Sequence, residues 1–128
     1  MRFCFTFRPR FSSAVKAAFL DRDGVINVDY AYVHSRENFH FIPGALEGAA
    51  ELVRKGHQLI IVTNQSGIGR GKYSIDQFRE LTFWLAGVFA RNHAPLSAVY
   101  FCPHHPTHAF APYLSLIHIS EPTRPISI

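Results

Sequence analysis

Cysteine is scarce in this chain: Cys4 and Cys102 are the only two thiols among 128 residues. Two thiols make no disulfide framework, so a reducing cytoplasm is the expected setting. No apolar run approaches the roughly 20 residues that a membrane-spanning helix needs, so no membrane partner is expected. The start, Met1-Arg2-Phe3-Cys4-Phe5, has neither a long apolar stretch nor a small-residue cleavage site, and no signal peptide is read there. Acidic residues are outnumbered, nine Asp and Glu against thirteen Lys and Arg, for a formal net charge of +4.

The location of that charge decides what it means. Residues 1–14 hold Arg2, Arg8 and Arg10 and no acid, whereas residues 15–113 hold nine cations against eight anions. Glu121 and Arg124 cancel in the last fifteen residues. The excess belongs to a short leader, so a basic groove for nucleic acid is not expected. Binding of nucleic acid through the leader alone remains the weakest rival reading.

What is present describes a globular chain. Hydrophobic residues make up 48% and twelve Phe supply core mass, enough for one small domain and too little for two. Residues 1–14 read as a loose extension, residues 15–113 as the domain, and residues 114–128 as a tail. Within the domain, residues 15–20 predict a first strand. Gly24 to Pro43 predicts an irregular flap or small hairpin. Ala45, Leu46, Ala49, Ala50, Leu52 and Val53 recur at helical spacing and stop at Lys55-Gly56, a cation followed by Gly. Leu59-Ile60-Ile61-Val62 is a continuous apolar run, the mark of a strand buried on both faces. Ser74 with Gln77 predicts a capping box ahead of an amphipathic helix carrying Ile75, Phe78, Leu81, Leu85, Val88 and Phe89, with Trp84 at its margin. Ala98 to Phe101 predicts a third strand. Strands alternating with helices imply right-handed crossovers, hence an α/β fold: a truncated doubly wound, Rossmann-like parallel sheet of about three strands and two main helices.

Two polar clusters fall at the carboxyl ends of predicted strands, the edge where open parallel sheets bind ligands. Asp21 and Asp23 close the first strand. Two carboxylates so close repel unless a cation or a proton neutralises one, which points to metal-assisted chemistry. Taken alone, the same residues also read as an ordinary Asp-Gly turn. Thr63 and Asn64 close the second strand, and a hydroxyl and an amide are suitable donors to phosphate oxygens. Taken alone they too read as a turn. Gly67-Ile68-Gly69-Arg70-Gly71-Lys72 fails as a Walker loop and as a dinucleotide fingerprint, and reads either as a cationic loop beside the site or as a solvated one. Cys102 and His104 read as half a zinc site, and two ligands do not make the four-coordinate centre of structural zinc.

Phe19-Leu20-Asp21-Arg22-Asp23-Gly24-Val25-Ile26-Asn27 resembles the first motif of the haloacid dehalogenase-like phosphatases, and Thr63 at a strand end matches their second. Asn27-Val28-Asp29, Tyr32-Val33, Phe41-Ile42-Pro43-Gly44, Val62 to Ile68, Arg70 to Tyr73 and Cys102-Pro103-His104-His105-Pro106 resemble the branch of that family acting on heptose bisphosphates. The histidinol-phosphate phosphatases share most of these segments.

The resemblance implies Asp21 as nucleophile, Asp23 as general acid and base, and Thr63 as a donor to the transferring phosphoryl group. It implies Mg²⁺ on Asp21 and the Asp23 main-chain carbonyl. It implies sugar-phosphate contacts from Asp29, Tyr30, Ala31, Tyr32, Asn64, Gln65 and Ser66, and a small-molecule substrate for a monomeric enzyme. In intact relatives of this kind Cys102 and His104 would pair with a Cys-x-Cys to hold Zn²⁺; this chain has no such Cys-x-Cys. The Lys of the family's third motif and the Asp of its fourth have no counterpart here either. A non-catalytic fragment that only binds Mg²⁺ or an anion, or Zn²⁺ through Cys102 and His104, is therefore the rival to an active enzyme.

Leu114 to Arg124 resembles the in-frame translation of a transposon-type library adapter, and residues 114–128 are expected to be foreign to the gene. Amplifying the locus from genomic DNA is expected to give other codons after residue 113. Recovery of this tail from the chromosome overturns the expectation.

Overall fold

The computed structural model describes residues 4–7 and 16–103. His104, His105, His108 and the tail lie outside the described residues. The described elements are β1 (Cys4–Thr6), β2 (Lys16–Leu20), a 3₁₀ turn (Arg36–Asn38), α1 (Ala45–Arg54), β3 (His57–Asn64), α2 (Ser66–Gly69), α3 (Ile75–Arg91) and β4 (Leu96–Cys102). They form one four-stranded sheet in the order β1-β4-β3-β2.

β3 lies inside the sheet because it has nothing polar to show on either face over Leu59, Ile60 and Ile61, all buried. It pairs in parallel with β2, Leu20 opposite Ile61, and with β4, Thr63 opposite Phe101 and Asn64 opposite Cys102. Two crossovers that step the same way through a parallel sheet put their helices on the same face when both are right-handed. Ala49 of α1 and Phe78, Leu81, Leu85 and Phe89 of α3 accordingly share one core with Leu59, Ile61, Val99 and Phe101. The fold is α/β.

The helix ends follow the local chemistry of the sequence. Ser74 Oγ accepts from the Gln77 N–H at 3.0 Å and Gln77 Oε1 accepts from the Ser74 N–H at 2.8 Å, the reciprocal capping box. α1 stops where Gly56 takes φ +91°, a conformation a Cβ resists, and donates to the Val53 carbonyl at 3.0 Å.

Three expectations need correction. Cys4–Thr6, inside the stretch read as loose, is an edge strand antiparallel to β4, so the sheet has four strands and is mixed. The reason is aromatic: Phe5 stacks on Phe101 at 5.4 Å and on Phe78 at 6.1 Å between ring centroids. The Gly-rich stretch after β3 is not all loop, because Ser66–Gly69 make one helical turn anchored by buried Ile68. The Gly-rich loop therefore divides into a buried half, Gly67 to Gly69, and an exposed half, Arg70 to Lys72.

The flap from Gly24 to Pro43 contains a minimal hairpin. Val28 donates to the His40 carbonyl at 2.8 Å and Ile42 to the Ile26 carbonyl at 2.9 Å. Phe39 holds it down, buried against Trp84 at 5.7 Å and Phe41 at 5.1 Å.

Phe78 is buried at the point where β1, β4 and α3 meet, with its ring 4.6 Å from that of Phe101. Phe78→Ala is expected to lower stability by about 3–5 kcal/mol, read from the urea midpoint at unchanged slope.

Candidate active site

The register of the sheet builds the site. Because Leu20 sits opposite Ile61, Asp21 leaves β2 beside the end of β3, where Thr63 and Asn64 stand. Asp21 is exposed, and its Oδ1 accepts the Arg22 N–H at 3.1 Å.

Asp23 is held much more firmly. Its Oδ1 accepts from Arg22 Nη2 at 2.8 Å, Arg22 Nε at 3.3 Å and Asn27 Nδ2 at 3.0 Å. Its Oδ2 accepts from Gln65 Nε2 at 3.2 Å. Arg22 is itself buried, donates to the Val33 carbonyl at 2.9 Å, and lies over the Phe39 ring. Removing the Asp23 carboxylate leaves the buried Arg22 charge uncompensated, which typically costs several kcal/mol.

Gln65 joins the two strand ends. Its Nε2 also donates to Thr63 Oγ1 at 2.8 Å, and its Oε1 accepts from the Tyr73 hydroxyl. Tyr73 is stacked by His34 with centroids 5.0 Å apart and planes 9° apart. A Cβ on Gly67 would collide with the Tyr73 and Tyr32 rings, so the turn after Gln65 needs glycine for close approach.

A cleft of about 320 Å³ opens over these groups. Asp21, Asp23, Thr63, Asn64, Gln65 and Ser66 line its sheet side, and Asp29, Ala31 and Tyr32 line its flap side. A second hollow of about 280 Å³ shares Asp21, Thr63 and Asn64 and runs on to Cys102 of β4. A larger one, about 460 Å³, lies between the 3₁₀ turn and α3 without touching either acid, so size alone does not mark the site.

Ala31 and Tyr32 reach the cleft through an unusual backbone, with φ of +65° and +57°. Two non-glycine residues in this region cost on the order of 1–3 kcal/mol each. The turn is fastened by Asp29 Oδ1, which accepts the Ala31 N–H at 3.0 Å, and by His34 Nδ1, which lies 2.7 Å from the Tyr32 carbonyl and donates to it.

Nine of the ten residues expected as catalytic or sugar-phosphate contacts thus line one cleft, and Tyr30 does not. Its ring is exposed and its hydroxyl lies 3.0 Å from His40 Nδ1. Gln65 lines the cleft yet spends its hydrogen bonds within the protein. Arg22, Asn27, Gly67 and Tyr73 belong to the site and were not singled out by residue type, because each acts through a contact that only folding creates. Cys102 stands at the end of β4, and His104, its expected zinc partner, lies outside the described residues.

The lining carries three carboxylates, Asp21, Asp23 and Asp29, and no cation. A phosphate ester could not settle there unaided. The donor set suits Mg²⁺, which commonly takes one or two carboxylates and completes its shell with water and substrate phosphate. Among the described residues no cluster of three His, Cys, Asp or Glu side chains could hold a metal ion by itself.

No family model matches the chain. It is 51% identical over 100 residues to the D-glycero-β-D-manno-heptose-1,7-bisphosphate 7-phosphatase of Vibrio cholerae, covering 78% of this chain and 54% of that protein. It is 50% identical over 95 residues to the Escherichia coli K12 protein of the same name, covering 74% and 50%. A haloacid dehalogenase-like phosphatase structure from Mesorhizobium loti superposes with a TM-score of 0.75 at 29% identity, covering 84% of this chain and 52% of that one. The D,D-heptose 1,7-bisphosphate phosphatase of B. bronchiseptica, solved with magnesium and phosphate, gives 0.69 at 32% identity, covering 76% and 55%. The chain spans about half the length of the curated relatives it matches. The resemblance read from the motifs is borne out, and nothing in these comparisons supports the histidinol-phosphate alternative.

Burial pushes the Tyr73 phenol up to about 12; Asp23 and Tyr32 add to the rise, and the Arg22 charge opposes it. A group whose folded pKa is raised contributes stability that is present below the unfolded value near 10 and lost as pH climbs through the folded one. Unfolding free energy is therefore expected to fall between pH 10 and 12, by on the order of 2–3 kcal/mol from this group. Urea titrations across that window should show a shallower fall for Tyr73→Phe than for the unaltered chain.

Proposed function

We propose that the chain is the amino-terminal portion of a phosphatase that removes the 7-phosphate of D-glycero-β-D-manno-heptose 1,7-bisphosphate through an aspartyl-phosphate. The observation that carries this reading is the meeting of Asp21, Asp23 and Thr63 around one cleft that also holds Asn64, Ser66 and the Asp29–Tyr32 turn.

Of the Asp21 and Asp23 pair, Asp21 is the accessible carboxylate, so its oxygen attacks phosphorus and the bond to the sugar O7 breaks. The departing oxygen takes a proton from Asp23, which must enter the step protonated. Water then attacks the phosphorus of the acyl phosphate, Asp23 takes the water proton, and Asp21 is released with inorganic phosphate. Thr63 donates its hydroxyl proton to a phosphoryl oxygen. Asn64 and Ser66 supply uncharged polar groups for the sugar phosphate without adding to the negative charge of the lining.

Bound at Asp21 and the Asp23 main-chain carbonyl, Mg²⁺ would neutralise charge between carboxylates and phosphate. Zn²⁺ has no role in this reading.

The two thiols suit a reducing cytoplasm, and the substrate reading needs no nucleic acid, membrane or second subunit. No described helix is long and apolar enough to cross a membrane.

With one site carboxylate for the metal and no cationic side chain in the described lining, turnover by the 128-residue chain is expected to be weak. A missing electrostatic partner typically costs about a hundred- to a thousandfold in rate. The test is inorganic phosphate released from the bisphosphate with Mg²⁺, for this chain beside the Vibrio cholerae relative. Low turnover that disappears in Asp21→Asn supports the reading. Turnover unaffected by Asp21→Asn sinks it, and Mg²⁺ binding without any turnover favours the binding-only fragment.

A further inference from the structure

We propose that Gln65 and Tyr73 are positioning residues that hold Asp23 and Thr63 in working orientation, and that Gln65 is not a contact to the sugar phosphate. The inference rests on the proposed roles of Asp23 and Thr63.

Gln65 lies on the cleft wall but is only 2% exposed. A primary amide has two N–H donors, and both are committed: Nε2 is 2.8 Å from Thr63 Oγ1 and 3.2 Å from Asp23 Oδ2. No donor is left for a ligand. Until it takes up the proton of the acid step, the Asp23 carboxylate only accepts, so in that state the amide nitrogen is the end that faces Asp23 and Oε1 the end that faces the Tyr73 hydroxyl. Tyr73 is 5% exposed and burial keeps its phenol protonated, so it remains a donor at any working pH.

The arrangement sets two orientations at once. Thr63 Oγ1 accepts from Gln65, so the threonine keeps its own proton to donate on the side open to the cleft that it lines. Asp23 is gripped through both oxygens, Oδ1 by Arg22 and Asn27 and Oδ2 by Gln65, so its carboxylate plane cannot turn without breaking bonds on both sides. Tyr73 maintains this by holding Oε1 in place, while His34 stacked on its ring and the absent side chain of Gly67 fix the ring itself. Loss of one hydroxyl at Tyr73 frees the amide to rotate and loosens both working groups together.

Side-chain amide hydrogen exchange in the ¹⁵N-labelled 128-residue chain tests the placement without any need for turnover. Gln65 is expected to exchange at least tenfold more slowly than exposed Asn64, and Tyr73→Phe is expected to remove most of that difference. Saturation with Mg²⁺ and inorganic phosphate should move the Asn64 resonance and leave that of Gln65 in place. Exchange of Gln65 as fast as that of Asn64, no response to Tyr73→Phe, or a Gln65 shift on phosphate larger than that of Asn64 overturns the proposal. With heptose bisphosphate, Tyr73→Phe and Gln65→Leu are expected to lower kcat about tenfold and keep KM within twofold. A raised KM at constant kcat marks a substrate contact and overturns it. A chain without turnover counts against the phosphatase reading alone, and the exchange measurement then decides the role of Gln65.

Discussion

The carboxylate of Asp23 is the point on which the site hangs. It accepts hydrogen bonds from Arg22 and Asn27 in the first turn and from Gln65 at the end of β3. Arg22 carries the connection outward, because its guanidinium also holds the Val33 carbonyl and covers the Phe39 ring. The flap, the Asp21–Asn27 turn and the end of β3 are thereby fastened to one ion pair whose Arg22 is buried. In a medium of low dielectric such a pair is costly to assemble and costlier to break, which makes the geometry specific rather than merely stable.

That same pair explains why a cleft rich in acid has so little positive charge of its own. The cation closest in sequence to the acids is Arg22, and its charge is directed to Asp23 and into the core, not to the cleft surface. Lys72 lies over the Tyr32 ring, on the exposed half of the Gly-rich loop. Phosphate chemistry in such a place has to borrow its positive charge from a metal ion, and the accessible oxygens of Asp21 are where that ion would attach. The polar neutral groups of Asn64 and Ser66 then complete a wall that binds oxygen without competing for the ion.

Much of the architecture could be read in the chain because it is set by local pattern. The apolar run of β3, the capping box at Ser74 and the stop at Lys55-Gly56 each express a preference that acts over a few residues. β1 escaped that reading for the opposite reason. Three residues are too few to show alternation, and their partner, β4, lies some ninety residues further along the chain. Tyr30 and Tyr32 show the limit of residue type: two tyrosines two places apart differ in placement because only one follows the left-handed turn at Ala31 into the cleft.

Sequence by itself determined that acids close one strand and a hydroxyl and amide close another, since the run of apolar residues before each leaves no other place for the strand to end. It also determined the alternation of strand and helix that brings two such ends to the same edge. Tertiary structure alone decided how those groups are held. Arg22 turns inward rather than out to a phosphate, Gln65 gives its donors to Asp23 and Thr63 rather than to a ligand, and Tyr73 joins the site across a glycine turn. Each outcome depends on burial and on partners brought from distant positions, and neither is written in the identity of the residue.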